Sequence, residues 1–472
     1  MKNAKLYDYL TRLSIYELNR FRKYIHSPYY NDDDRLKKAV DALLPHAKTG
    51  TLAEVDEKQL WKQVFGKAPF NRAKYVRLLS DTVKKVEHFL VVDRFNQNQI
   101  LQHAFQLQVM NERKLEKHVA EFLALTEKHQ QAQPHRDGAF YYHHLLIQEQ
   151  KNVYLENYDE RSTDKNLQGV MHAFDVYYVL NKLRYGAALM HYKSFLAIEV
   201  EVALLNEVMQ LAQREDFNMP AIQVYRRIIL SITEPDNETH YTELKNLLTK
   251  HSILFTTDEL KTLFVFAINY CINRINLGQS KYLHELLSLY QFAIKNDLLL
   301  ENGVLSPWEF KNIVTVALRT KELQWGEKFI EEYKSKLPKE ERQNAYTFNI
   351  ARLHFYKKNY DKVLQLLQDV KYNDIFYQLD SKTTLLKTYY ETGEEMPLLS
   401  LKDSFRVLLS RKRLITPQQR ANYNNLLKYS IKLFRADVRN KKAMQALRLE
   451  IEHTANIADK SWLMEKVEEL TA

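Results

Sequence analysis

Glycine and proline, the residues that most strongly interrupt helices, are scarce in this chain: 9 Gly and 10 Pro among 472 residues. Average usage of about 7% and 5% would give roughly 33 and 24. Most of those present sit at polar joints. The depletion argues against β-sandwiches, whose strands need frequent turns, and against Rossmann or P-loop folds, whose phosphate loops need glycine. With 27% charged and 45% hydrophobic residues, the chain reads as neither disordered nor membrane-embedded. A nearly all-helical protein is expected.

Local signals agree. Ser14 and Glu17 fit a capping box, and Ile15, Leu18, Phe21, Tyr24 and Ile25 follow at helical spacing. Ser27-Pro28-Tyr29-Tyr30-Asn31 stops that helix, and Asp32-Asp33-Asp34 opens the next, where negative charge favours the N-terminal dipole. Further helices are expected over roughly 35–48, 56–65, 71–95 and 98–130. Nothing alternates with period two for long, so no sheet is expected. The longest apolar run, Leu263 to Ile268, is far short of the ~20 residues of a membrane span. The N-terminus lacks the apolar core of a signal peptide, and the single Cys271 excludes an intramolecular disulfide. These features point to the cytoplasm.

The net charge is +10, and it lies at the two ends. Residues 1–95 hold 19 Lys/Arg against 12 Asp/Glu, residues 96–401 hold 35 against 39, and residues 402–472 hold 15 against 8. A basic end suits nucleic acid, an acidic protein or an anionic membrane surface, so sign alone does not choose.

Internal repetition says more. Asn312-Ile313-Val314-Thr315-Val316-Ala317-Leu318 is echoed at Asn349-Ile350-Ala351-Arg352-Leu353-His354-Phe355-Tyr356 and again at Thr384-Leu385-Leu386-Lys387-Thr388-Tyr389-Tyr390. A looser copy begins at Asn269 and keeps Gly278 at its turn. The series resembles tetratricopeptide repeats, whose unit is a helix pair of about 34 residues. Ala351 takes the small-residue position, with Val314 and Leu386 in the neighbouring copies, and Tyr360 and Asp361 match the turn. The whole chain also resembles a family of uncharacterised bacterial all-helical proteins. It does so through Leu13-Ser14, Glu17 to Phe21, Ser27 to Asn31, Tyr177 to Arg184 and Lys460 to Lys466. That second resemblance implies no activity.

Catalytic patterns fail on inspection. His284-Glu285-Leu286-Leu287-Ser288 starts like a zinc-protease helix, but Ser288 stands where the second histidine must be. His135-Arg136-Asp137 copies a kinase triplet without its Asn or a Gly-rich loop, Tyr142 standing in the Asn position. Asp32 to Asp34 lack the Gly and distant Glu of a calcium loop. Adjacent His143 and His144 point about 100° apart on a helix. Cys271 sits in an apolar stretch and reads as packing. No catalytic residue, metal site or cofactor is assigned, and the chain is read as no enzyme.

Two surfaces remain. The resemblance to tetratricopeptide arrays implies a partner groove lined by the first helix of each pair, here at Lys311, Asn312, Thr315, Asn349, Arg352 and Lys387. The second surface is basic. Thr416-Pro417 starts a helix on which Lys428, Lys432, Arg435, Arg439 and Lys442 share an arc of about 80°. Arg411, Lys412 and Arg413 add three cations upstream. The expectation is thus an all-α, tetratricopeptide-like α-solenoid of antiparallel helix pairs. Its expected regions are a basic helical 1–95, irregular pairs over 96–260, repeats over 261–400 and a basic cap over 401–472. The expected function is a cytoplasmic scaffold that binds a protein or peptide, with RNA or ribosome association through the basic ridge as the alternative.

Overall fold

A computed structural model describes residues 5–158, 166–196, 201–368, 375–411 and 415–471. Among them lie 23 α-helices and one two-stranded hairpin, an all-α, solenoid-like fold of consecutively packed helices. The chain separates into two compact units, Met1–Lys182 and Leu183–Ala472. No helix among the described residues is long and apolar enough to cross a membrane.

The first unit begins with α1 (Lys5–Arg12), α2 (Ile15–His26), α3 (Asp34–Thr49), α4 (Glu57–Phe65) and α5 (Arg72–Asn96). The capping box forms: Ser14 Oγ accepts from Glu17 N at 3.3 Å, while Glu17 accepts from Ser14 N at 2.8 Å. Asp33 caps α3. Leu18, Phe21 and Ile25 of α2 pack with Val40, Leu43, Val86 and Phe89 in one core, and Arg20 grips Asp93 of α5 through two bonds of 2.6 and 2.9 Å. The single helix expected over 98–130 is instead two, α6 (Gln99–Glu112) and α7 (Glu116–Gln131). Lys114 adopts φ 56° between them, and Leu115 N–H donates to Met110 O, turning the chain. No Gly or Pro marks that break. Ile100, Leu107, Val119 and Leu123 then pack with Ile147 of α8 (Gly138–Tyr158).

The helix α9 (Leu167–Leu196) precedes α10 (Leu205–Leu211), α11 (Pro220–Thr233), α12 (Glu238–Lys250), α13 (Thr257–Asn276) and α14 (Tyr282–Lys295). A hairpin of β1 (Leu300–Glu301) and β2 (Val304–Leu305) follows, in register Leu300↔Leu305. It corrects the expectation of no strand: Asn302 and Gly303 both take positive φ, 51° and 78°, the signature of a tight hairpin turn. Then come the pairs α15 (Pro307–Arg319) with α16 (Leu323–Tyr333), α17 (Arg342–Tyr356) with α18 (Tyr360–Gln368), and α19 (Ile375–Glu391) with α20 (Glu395–Arg411).

The repeated segments are the first helices of these pairs. Their inter-helix turns share one geometry. Gly278, Lys321, Lys358 and Gly393 have φ of 90°, 63°, 59° and 74°. In each turn the next N–H donates to the carbonyl five residues back: Gln279 to Arg274, Glu322 to Ala317, Asn359 to His354, Glu394 to Tyr389. This is the Schellman closure of a helix end. Val314, Ala351 and Leu386 are all fully buried at the matching position. First helices stack on first helices, α15 on α17 and α17 on α19.

The second unit ends with α21 (Pro417–Phe434), α22 (Lys441–His453) and α23 (Lys460–Thr471). Thr416 and Gln419 form a capping box at the expected start of α21. Leu379 and Leu386 of α19 join Phe405, Leu426, Leu433, Leu463 and Val467 in the core that closes this end.

Candidate functional site

On α15, Lys311, Thr315 and Arg319 lie four residues apart, so they share one face of the helix. Thr315 Oγ1 accepts from Arg352 of α17 at 2.6 Å. Lys311 reaches past α17 to Asp380 of α19 at 2.8 Å, and its ammonium lies 4.4 Å from the Trp308 ring centre and 5.5 Å from that of Tyr377. Tyr377 Oη in turn donates to Pro307 O at 3.0 Å. Side chains of alternate first helices therefore meet across the helix between them, which requires the surface carrying them to curve inward.

At the far end of this surface, Lys387 pairs with Asp459, the residue just before α23. Its ammonium is 5.9 Å from the Phe355 ring and 5.3 Å from Trp462. Crowding by the surrounding helices partly dehydrates the Asp459 carboxyl and pushes it up, although its edge stays open to solvent, but the charges of Lys387, Arg352 and Arg319 outweigh this and hold the group below the usual carboxylate range. Burial, with Asp380 and Asp459 nearby, pushes the Tyr423 hydroxyl well up. The face thus gathers four cations, Lys311, Arg319, Arg352 and Lys387, around two carboxylates. Among the described residues, neither Arg319 nor Arg352 forms a direct salt bridge; both act on Asp459 only through their charge.

Of the six residues expected in the groove, four are joined in this network: Lys311, Thr315, Arg352 and Lys387. Asn312 is exposed and lies beside it. Asn349 is a correction: it is 0% exposed and its amide bonds back to Ala345 O at 2.8 Å, so it packs inside rather than lining a surface. Arg319, Asp380, Asp459 and Tyr423 were not foreseen. Arg319 follows Thr315 at the i+4 spacing and was legible; the other three arrive from distant segments.

The basic ridge is also corrected. The helix expected to carry it ends at Phe434, because Asp437 and Asn440 offer caps that start α22: Asp437 Oδ1 accepts from Arg439 N, and Asn440 Oδ1 from Ala443 N, both at 3.0 Å. Arg435 is the C-terminal cap of α21, Arg439 lies in the turn and Lys442 is on α22. Lys428 and Lys432 share Glu450 at 2.8 and 2.7 Å, and their hydrogen bonds hold its carboxyl down to about 2. Arg435 pairs with Glu395 at 2.7 Å. The Arg411 side chain, Lys412 and Arg413 lie outside the described residues.

Two of the catalytic look-alikes, Glu285 and Cys271, are engaged in contacts within the helix stack. Glu285 accepts from Lys245 at 2.7 Å and Tyr241 at 3.3 Å, while His284 is exposed. Cys271 is fully buried, donates to Tyr241 Oη at 3.2 Å, and has its thiol pushed up to about 12 by burial. In the first unit a cleft of about 290 Å³ is lined by Glu127, Gln130, His144 and Gln148, among others. No protein-family model, curated protein or solved structure matches the chain.

Proposed function

We propose that the protein is a non-enzymatic cytoplasmic scaffold with a tetratricopeptide-like array, which captures an acidic segment of a protein partner on the inward-curving face of α15, α17 and α19. The observation that carries this reading is the convergence of Lys311, Arg319, Arg352 and Lys387 from three consecutive first helices, with neither guanidinium in a salt bridge among the described residues. Guanidinium forks bind carboxylates through paired hydrogen bonds, and the exposed Trp308 ring beside Lys311 supplies apolar contact for a peptide. RNA docking on residues 428–442 has less support, since Lys428, Lys432 and Arg435 already hold carboxylates.

The test is site-specific photocrosslinking in the native cytosol. A photoreactive side chain at Thr315 is compared with one at Lys328 on the outer helix α16, and each adduct is sequenced. The reading expects Thr315 to capture a recurrent acidic peptide, and Arg352→Glu to remove that adduct. Equal labelling from both positions, or adducts indifferent to Arg352→Glu, would refute it.

A further inference from the structure

Lys387 differs from the other groove lysine in where its counter-charge comes from. Lys311 takes Asp380 from α19, within the stack of first helices. Lys387 takes Asp459 from the C-terminal cap, seventy-two residues further along the chain. Several contacts hold that carboxylate in place. The Ala458 N–H donates to Asn422 O at 3.1 Å. The Trp462 ring meets Tyr390 at 5.2 Å, and Lys466 reaches Glu391 at 2.7 Å. The Asp459 backbone sits at φ 54°, a conformation that non-glycine residues adopt seldom and at some cost. The result is an acidic side chain delivered onto a cationic face, at the place where a partner's carboxylate would meet Lys387.

We propose that Asp459 is a built-in occupant of the groove, an intrachain acid that a partner's acidic segment must displace from Lys387 before it can bind fully. This rests on the peptide-capture reading above. The geometry permits exchange: 38% of the Asp459 side chain meets solvent, against 12% for Lys387. A ligand carboxylate entering from the open side would therefore find the aspartate accessible and the lysine poised beneath it. Displacement needs no helix to leave the core, because Trp462 and Leu463 are anchored independently of the carboxylate. With Asp459 in place, the face offers incoming acids four cations against two resident carboxylates. Without its charge, one carboxylate remains.

The experiment is fluorescence anisotropy of a fluorescein-labelled hexaglutamate peptide with the full-length chain at low salt. Asp459→Asn is the central variant, because asparagine is, after glycine, among the residues that best tolerate this backbone conformation and it keeps the side-chain shape. Asp459→Asn should bind about tenfold tighter than the wild type, as one like charge a few ångströms from the ligand is removed in a partly shielded site. Lys387→Met should leave only the part of this gain that comes from removing the like charge, because the freed lysine is no longer there to pair with the ligand. Equal or weaker binding by Asp459→Asn overturns the proposal; weaker binding would mean that Asp459 positions Lys387 for the ligand. If wild type and Asp459→Asn bind equally and Arg352→Glu abolishes both, the occupant fails while peptide capture stands. If neither wild type nor Asp459→Asn binds the peptide, both fall.

Discussion

Lys466 is 8% exposed and lies between Glu391, itself 18% exposed, and the solvent-facing Glu469, at 2.7 Å from each. It joins α23 to α19 and so fixes the segment that carries Asp459. Replacing it by methionine keeps the length of the chain but leaves Glu391 buried without its cation. Breaking a buried pair in this way costs about 3–5 kcal/mol; since Glu391 keeps some solvent contact, the lower end, about 3 kcal/mol, applies. Glu469 loses little, because water replaces the lysine. In an array whose elements contact mainly their neighbours, the loss falls on the terminal helices rather than on the whole chain. Amide hydrogen exchange in α23 should therefore accelerate roughly 150-fold in Lys466→Met, with α13 to α17 unchanged. Adding Glu391→Met should restore most of the protection. About 1 kcal/mol would remain missing, because the Trp462 indole N–H loses Glu391 as its acceptor at 3.3 Å. Exchange in α23 within about twofold of the wild type after Lys466→Met alone would refute the reasoning.

Gly393 turns the chain at φ 74° with no heavy atom near a would-be Cβ, so Gly393→Ala bears only the left-handed backbone cost. That is about 1–2 kcal/mol, less the 0.4–1 kcal/mol gained through the unfolded chain, a net destabilisation near 1 kcal/mol in urea titration. Lys358→Gly at the equivalent turn should shift the urea midpoint the opposite way, and shifts of the same sign would count against a shared turn geometry. Glu450 has its pKa lowered from 4.5 to about 2 by Lys428 and Lys432. Its contribution is thus complete above pH 4.5 and is lost as pH falls toward about 2. Stability measured across that window should fall more steeply for the wild type than for Glu450→Gln, and parallel curves would remove the two lysines from the account.

What was legible in the sequence was local. The capping box at Ser14, the Thr416-Pro417 helix start, the proline after α2 and the apolar spacing each involve residues within one or two turns of helix, so the fold class and several helix boundaries could be read directly. The repeat was legible for the same reason: each copy must bury the same face, so Val314, Ala351 and Leu386 recur at a spacing that packing enforces. The break at Lys114 was hidden because a left-handed lysine can close a helix as glycine does, at a modest cost that the surrounding packing offsets.

Distance along the chain set the limit. That Lys311 and Thr315 share a helix face follows from helical periodicity, and that Arg352 and Lys387 join them on one surface is what the repeat resemblance implied. Asn349 shares that periodicity yet lies inside, because how far a helix rotates against its neighbours depends on their side-chain volumes. The basic ridge failed in the same way. A cation every three or four residues describes a helix face only while the helix lasts, and the pairing of Lys428 and Lys432 with Glu450 depends on how α22 folds back. Asp380 and Asp459 reach the groove from segments whose approach is set by the curvature of the stack and the docking of the cap. The sequence determined which charges lie on which helix; only the tertiary structure decided which of them meet, because salt bridges form wherever packing of the apolar faces leaves opposite charges within reach.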